Sequence, residues 1–326
     1  MIIQTTNLTK TYRLFEKEAG LQGSIKSLFH RKYTYKTALS DFNLSVSEGE
    51  FIGLIGPNGA GKTTLVKMLT GIIAPTSGDL SVLGYYPNKL ENTFKKQYAV
   101  VMGQKSQLFF ELSAGDTFLL FKELYGISNE EYKKNLDYFI HLFGVETLLN
   151  VQVRTLSLGE RMKMELIVAL LHNPKVLFLD EPTIGLDAIA QRQIRSFLKE
   201  VNETRGTTIL LTSHYMEDIK SLCKRCIVVN RGMKIYDGST EAMFDRYQTH
   251  KKITLSFTEE TAIELPQNCV PVEQNPLKSI FMVPLDISQE IIYKLMKEYS
   301  LSDISIEEDE IGSVVERIYN EGQVKR

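Results

Sequence analysis

The chain has 326 residues, 43% hydrophobic and 24% charged, with 38 basic side chains against 40 acidic ones and a net charge of −2. That length admits one large domain with a small one, and that balance argues against a nucleic-acid binder working through bulk positive charge. No run of about 18 uncharged apolar residues offers a membrane-spanning helix, and the opening MIIQTTNLTKTYR lacks the charged-then-apolar layout of a secretory leader, so a cytosolic chain is expected.

In chain order, the stretches near 2–6, 37–47 and 79–83 read as half-buried antiparallel strands. FIGLIG, 51–56, has the short apolar run of a buried strand, and after a glycine-rich loop a helix is expected from Lys62 to Thr70. From about Ser106 to Leu171 the apolar residues fall at helical spacing: Phe118, Leu119, Phe121, Leu124 and Tyr125, then Leu136, Phe139, Ile140 and Phe143. This stretch reads as a helical insertion. VLFLD, 176–180, and TTILLTS, 207–213, are further buried strands, with Ala190, Ile194, Phe197, Leu198 and Val201 striping the helix between them. Strands alternating with helices imply a mostly parallel sheet covered on both faces.

After about Arg246 the pattern changes. KKITLSF, CVPVEQ, SIFMVPL and LSDISIEE suggest strands, while ISQEIIYKLMKEY and IGSVVERIYNEG suggest helices. The expectation is a main domain over 1–246 and a small α+β domain over 247–326, with no internal repeat.

Residues 13–36 exceed what a compact domain needs between two strands, and Leu21, Ile25, Leu28 and Phe29 form a helical stripe among basic residues. It suits docking on a membrane face or a partner, or equally packing on the chain's own sheet. Three cysteines are too few for a disulfide scaffold; Cys223 and Cys226 form a C-K-R-C, but no second Cys/His pair stands at zinc spacing, so simple packing is favoured. His30, His141, His172 and His250 lie outside any motif and read as surface or packing residues.

The chemistry starts at GPNGAGKTT: Gly56, Pro57, Asn58, Gly59, Ala60, Gly61, Lys62, Thr63 and Thr64. Glycines here let successive backbone N–H groups converge on phosphates, and the following helix start adds positive potential. Lys62 is expected to reach the terminal phosphates and the Thr63 hydroxyl to ligate Mg²⁺. VLFLDEP sets Asp180 and Glu181 at the end of a buried strand, where the aspartate can hold the Mg²⁺ water shell and the glutamate can orient an attacking water.

With Tyr12, Gln104 in VVMGQ, LSLGE at 156–160, GLD at 185–187 and His214 in LLTSH added, the chain closely resembles the nucleotide-binding subunit of ATP-binding cassette transporters, over roughly residues 1–245. The resemblance implies a P-loop NTPase of the α/β class: a mostly parallel core sheet, an antiparallel β subdomain and a helical insertion, here with the small C-terminal α+β domain added. It implies that Tyr12 stacks on adenine, which is physically reasonable because a base offers a π face to an aromatic ring. It implies further that Gln104 senses Mg²⁺ and the attacking water and that His214 hydrogen-bonds the γ-phosphate. Ser157 and Gly159 would contact the γ-phosphate held by the opposite protomer, with Asp187 at the seam. ATP and Mg²⁺ are the expected ligands. The expected partners are a second cassette, most simply a copy of this chain, and a separate membrane permease, with no nucleic acid; the expected place is the cytoplasmic face of the membrane.

One departure stands out. The family's usual signature is LSGGQ, whereas Leu158 and Glu160 replace the middle glycine and the glutamine. A Cβ at 158 is expected to retune how closely backbone approaches phosphate. The tail after Arg246 and the DEPTIGLD run resemble the branch that powers drug and polysaccharide export. A soluble cassette ATPase acting on DNA or ribosomes is the alternative, but such relatives carry a long coiled coil or two cassettes, whereas here Lys62 and Ser157 are 95 positions apart in one set of motifs. A nucleotide-gated switch without turnover is disfavoured by the presence of both Glu181 and His214.

Overall fold

The computed structural model describes residues 1–16, 32–103, 105–213, 215–308 and 311–324. Two compact units emerge, Met1–Gly238 and Ser239–Arg326. Each has its own hydrophobic core.

The first unit opens with an antiparallel layer. Strands β1 (Ile3–Glu16), β2 (Lys32–Val46) and β4 (Ser77–Val82) pair in the order β2-β1-β4, as the half-buried alternation of their residues leads one to expect. β1 and β2 pair out to Glu16 opposite Lys32, so the ends of the 13–36 segment are strand. The stripe of Leu21, Ile25, Leu28 and Phe29 lies outside the described residues.

Beside this layer stands a six-stranded sheet in the order β5-β6-β7-β3-β8-β9. Its members are β3 (Phe51–Ile55), β5 (Tyr98–Met102), β6 (Val176–Asp180), β7 (Thr208–Thr212), β8 (Arg225–Asn230) and β9 (Met233–Ser239). From β5 through β8 the pairs are parallel, and β3 and β7 are buried at every position, as continuous apolar runs require. Helix α1 (Lys62–Leu69) packs its Leu65, Val66, Met68 and Leu69 between the two sheets, in one core with Phe42, Leu54 and Phe178. A one-turn α2 (Asn92–Lys95) precedes β5.

The expected helical insertion is present as α3 (Ala114–Tyr125), α4 (Asn129–Phe143) and α5 (Leu158–Leu170). Ser113 and Ser128 accept N–H bonds at the starts of α3 and α4. Asp187 does the same for α6 (Ala188–Arg205), whose buried Ala190, Ile194, Phe197, Leu198 and Val201 are the stripe read from the sequence. A short α7 (Met216–Leu222) follows β7.

The second unit begins earlier than residue 247, because α8 (Thr240–Tyr247) packs with α10 (Ile311–Val324): the Arg317 Nε donates to the Tyr247 carbonyl at 2.8 Å and Arg246 pairs with Glu321. Its antiparallel sheet runs β11-β12-β10-β13, from β10 (His250–Phe257), β11 (Val270–Asn275), β12 (Lys278–Pro284) and β13 (Leu301–Glu308). Helix α9 (Ser288–Glu298) contributes Ile291 and Leu295 to the core with Ile253, Leu255, Phe281 and Val283. Every residue of β11, an edge strand, is exposed.

Candidate functional site

The glycine loop joins central strand β3 to α1. At Gly61, φ is 112°, and a Cβ there would lie 2.5 Å from the Ala38 carbonyl oxygen; at Gly56 it would lie 2.2 Å from that of Val229. Only glycine fits either place. Pro57, Asn58 and Gly59 are exposed, and Ala60 is buried. Gly61 precedes α1 without any side-chain cap, which leaves first-turn N–H groups of the helix facing the loop. Thr63 and Thr64, half-buried, occupy that first turn.

Lys62 is 5% exposed and turns its Nζ back to donate to the carbonyls of Gly56 at 2.6 Å and Pro57 at 3.2 Å. The Glu181 Oε1 stands 4.0 Å from the same nitrogen. Burial pulls the ammonium pKa down, and the carboxylates of Glu181 and Asp180 pull it back up.

Asp180 closes β6, and its Oδ1 accepts from the Thr212 hydroxyl at 2.6 Å. Glu181 adopts φ 55°, in the left-handed region that bulky residues avoid. Its N–H donates to the Thr212 carbonyl at 3.0 Å and hydroxyl at 3.1 Å. On the other side, a Cβ at Gly103 would lie 2.3 Å from the Glu181 carbonyl oxygen, so that residue also has to be glycine. Strained backbone held from several directions is a mark of functional sites.

A second group gathers where α5 and α6 begin. Ser157 caps α5 in a reciprocal box: its hydroxyl accepts from the Glu160 N–H at 3.3 Å, and Glu160 Oε2 accepts from the Ser157 N–H at 2.9 Å and hydroxyl at 2.7 Å. Those bonds hold the Glu160 carboxyl below the usual carboxylate range. Leu158 leans toward Gly185, a Cβ at Gly159 would meet that of Ala190 at 3.0 Å, and Asp187 caps α6 by accepting from the Ala190 N–H at 2.8 Å.

The structure thus brings Lys62, Asp180 and Glu181 together, and separately Ser157, Gly159 and Asp187. Tyr12 lies half-buried on β1 opposite Lys36, two positions from the Ala38 that abuts Gly61. Gln104 and His214 lie outside the described residues. Cys223 and Cys226 are buried and not joined in a disulfide, and burial pushes the Cys223 thiol well up, which disfavours redox or metal chemistry there.

One element around the site was not foreseen. β8 and β9 are joined by the two-residue turn Arg231–Gly232, with φ of 47° and 79°, the signs a tight hairpin demands. Gly232 donates its N–H to the Ala60 carbonyl at 2.9 Å and accepts from the Ser40 N–H at 2.9 Å. The turn therefore pins the glycine loop to β2. The signal was the apolar CIVV followed by N-R-G.

Comparison with known proteins agrees with this geometry. The family described as ABC transporter matches residues 39–184. The ABC transporter ATP-binding protein NatA of Bacillus subtilis (strain 168) is 32% identical over 217 residues, covering 67% of this chain and 88% of NatA. The chain belongs to the ABC transporter family. It is an ATP-hydrolysing cassette subunit. The Nod factor export ATP-binding protein I of Bradyrhizobium diazoefficiens is 35% identical, over 65% of this chain and 69% of that protein. A dimeric ATP-binding cassette in a post-hydrolysis state, bound to ADP and Pi, superposes with a TM-score of 0.60 at 25% identity, covering 73% of this chain and 98% of the other. The cassette has no helix, among the described residues, long and apolar enough to cross a membrane.

Proposed function

We propose that two such cassettes close over two MgATP and drive export through a separate membrane permease, from the cytoplasmic face of the membrane. The observation that carries the catalytic part is the Lys62 ammonium set 4.0 Å from a carboxylate, Glu181, whose backbone is held in a left-handed conformation. In this reading the loop Gly56–Thr64 grips the phosphates, Lys62 neutralises their charge, and Glu181 orients the water that attacks the terminal phosphorus. Gln104 and His214 complete the phosphate and metal contacts, and Tyr12 stacks on the base. Ser157, Gly159 and Asp187 serve the nucleotide of the opposite subunit. Such catalysis is positioning and charge neutralisation, without a covalent intermediate.

A magnesium ion fits the donors. Asp180 takes, among the described residues, one hydrogen bond at Oδ1, so its other oxygen is available, and Thr63 adds a hydroxyl. One carboxylate and one hydroxyl beside phosphate oxygens make the hard, oxygen-only set this ion prefers. When bound, it would offset the negative charge of the phosphates.

Docking is supported by the helical insertion, where Phe109, Phe110, Leu112, Leu119, Leu120 and Leu124 are large apolar side chains between 39% and 69% exposed. Apolar surface gathered on one subdomain favours a protein partner. Export as the direction rests on the relative named for Nod factor export.

The test of the catalytic reading is Glu181→Gln: MgATP binding is retained, phosphate release falls by about 10²-fold or more, and the ATP-bound pair accumulates. Release at the original rate removes Glu181 from its role. Affinity purification from detergent-solubilised membranes tests the partner. A near-stoichiometric polytopic protein is expected; recovery with ribosomal or DNA-associated proteins alone overturns the transporter reading.

A further inference from the structure

Beneath the Asp180–Thr183 turn lies a fully buried carboxylate that belongs to no motif. Asp218, in the first turn of α7, is 0% exposed. Its Oδ2 accepts from the hydroxyls of Thr183 at 2.5 Å and Ser213 at 2.8 Å, and its Oδ1 accepts from the Arg195 Nη1 at 3.0 Å. The three donors come from three places. Thr183 is two residues past Glu181, Ser213 ends the run that leaves β7, and Arg195 lies on α6, the helix capped by Asp187.

A carboxylate out of water is costly unless its lone pairs are filled and its charge is matched. Here both conditions are met, so the junction is stiff. The turn it holds is also under strain, because Glu181 at φ 55° relaxes to an ordinary conformation unless its surroundings forbid it. Two restraints act from above: the Thr212 bonds to the Glu181 N–H and the close approach of Gly103 to its carbonyl. The Thr183 hydroxyl on Asp218 is the restraint from below. Ser213 also accepts from the Tyr215 N–H at 3.0 Å, which fixes the chain on both sides of residue 214.

We infer that Asp218 is a positioning residue: through Thr183 and Ser213 it keeps the Glu181 backbone left-handed and the ends of β6 and β7 in register for hydrolysis. The inference rests on Glu181 orienting the attacking water. Asp218 itself is fully buried, so it acts through Thr183 and Ser213 rather than directly. Its effect falls on kcat, because the Lys62 contacts to Gly56 and Pro57 do not run through it.

Steady-state ATPase assays on the full chain test this with Thr183→Val, Thr183→Ser, Asp218→Asn and Glu181→Gln. Valine keeps the shape of threonine and loses the hydroxyl, so the variant is expected to fold even if Asp218→Asn does not. Thr183→Val is expected to lower kcat about 10-fold or more, the scale of lost outer-shell contacts, with the KM for MgATP within about twofold. Thr183→Ser restores kcat to within about twofold. Adding Thr183→Val to Asp218→Asn lowers kcat by less than about twofold further, as coupled residues do. Unchanged kcat in Thr183→Val, equal losses in the valine and serine variants, or additive losses in the double variant overturn the inference while an inactive Glu181→Gln leaves the catalytic reading standing. A fully active Glu181→Gln overturns the reading itself, and the inference with it.

Discussion

Leu158 and Glu160 show how single residues set a site's character. The Ser157 hydroxyl, expected to meet a phosphate across the dimer seam, is occupied by the Glu160 carboxylate at 2.7 Å. An anion is thereby placed where, in the proposed reading, the partner's phosphate arrives. Glutamine serves a capping box as well as glutamate does, so Glu160→Gln is expected to leave α5 intact and its Tm unchanged. It should promote ATP-dependent pairing of the Glu181→Gln protein, read by gel filtration; unchanged pairing counts against the idea. Leu158, 37% exposed, leans on Gly185. Leu158→Gly opens that approach and is expected to lower the KM for MgATP, and steady-state kinetics with no change in KM or kcat would remove its basis. At this scale the sequence was partly legible. The order of glycines, Lys62, Asp180 and Glu181 marked a candidate phosphate site whose residues the fold brings together, and Ser157 with Glu160 three positions on is a capping-box spacing open to reading, though Glu160 drew attention only as a departure. Asp218 was not legible, because a lone aspartate in SHYMEDIK gives no sign that its partners lie at 183, 195 and 213.

The elements that carry the site depend on turns and ends that pattern reading handles poorly. Periodicity marked β3, β6, β7 and α6, whereas β8 and β9 went unseen because short apolar runs do not identify their neighbours. Yet the Arg231–Gly232 turn between them bonds directly to Ala60. Gly232→Ala would force a Cβ into left-handed backbone 2.9 Å from the Ala38 carbonyl oxygen. A loss of about 1–2 kcal/mol is expected from the backbone alone, with a raised KM for MgATP as the glycine loop shifts; denaturant melts and kinetics check both. Beyond the end of α5, His172 stacks on Tyr125 at a centroid distance of 3.9 Å, and its Nε2 lies 3.2 Å from the Tyr98 carbonyl. Burial lowers its pKa from 6.5 to about 4. The folded protein therefore keeps this ring neutral while the unfolded chain protonates it below about 6.5. Its contribution is fully present above that pH and is lost as pH falls toward 4. His172→Gln is expected to flatten that part of the stability–pH curve, measured by urea unfolding at stepped pH; an unaltered slope refutes the assignment.

For the whole molecule, two cores in one chain predict that the first unit stands alone. A protein of residues 1–238 is expected to fold cooperatively and bind MgATP, as thermal melting with and without nucleotide would show; failure to fold would tie the cores together. The change of pattern after Arg246 made the second unit visible in the sequence. Its start was set late because α8 reads as a continuation of what precedes it, and only the packing of α8 on α10 assigns it to the second unit. The exposed edge strand β11 has a consequence for how copies of the molecule behave when crowded. An open strand edge with Val270 and Val272, 55% and 59% exposed, is a template for fibrous stacking. Pro271 removes one N–H from that edge, the register slips between Pro271 and Glu273, and Glu273 adds a charge. The proline, the slip and the charge act as gatekeepers against insolubility, so the tail's solubility at high expression is tied to the ring at position 271.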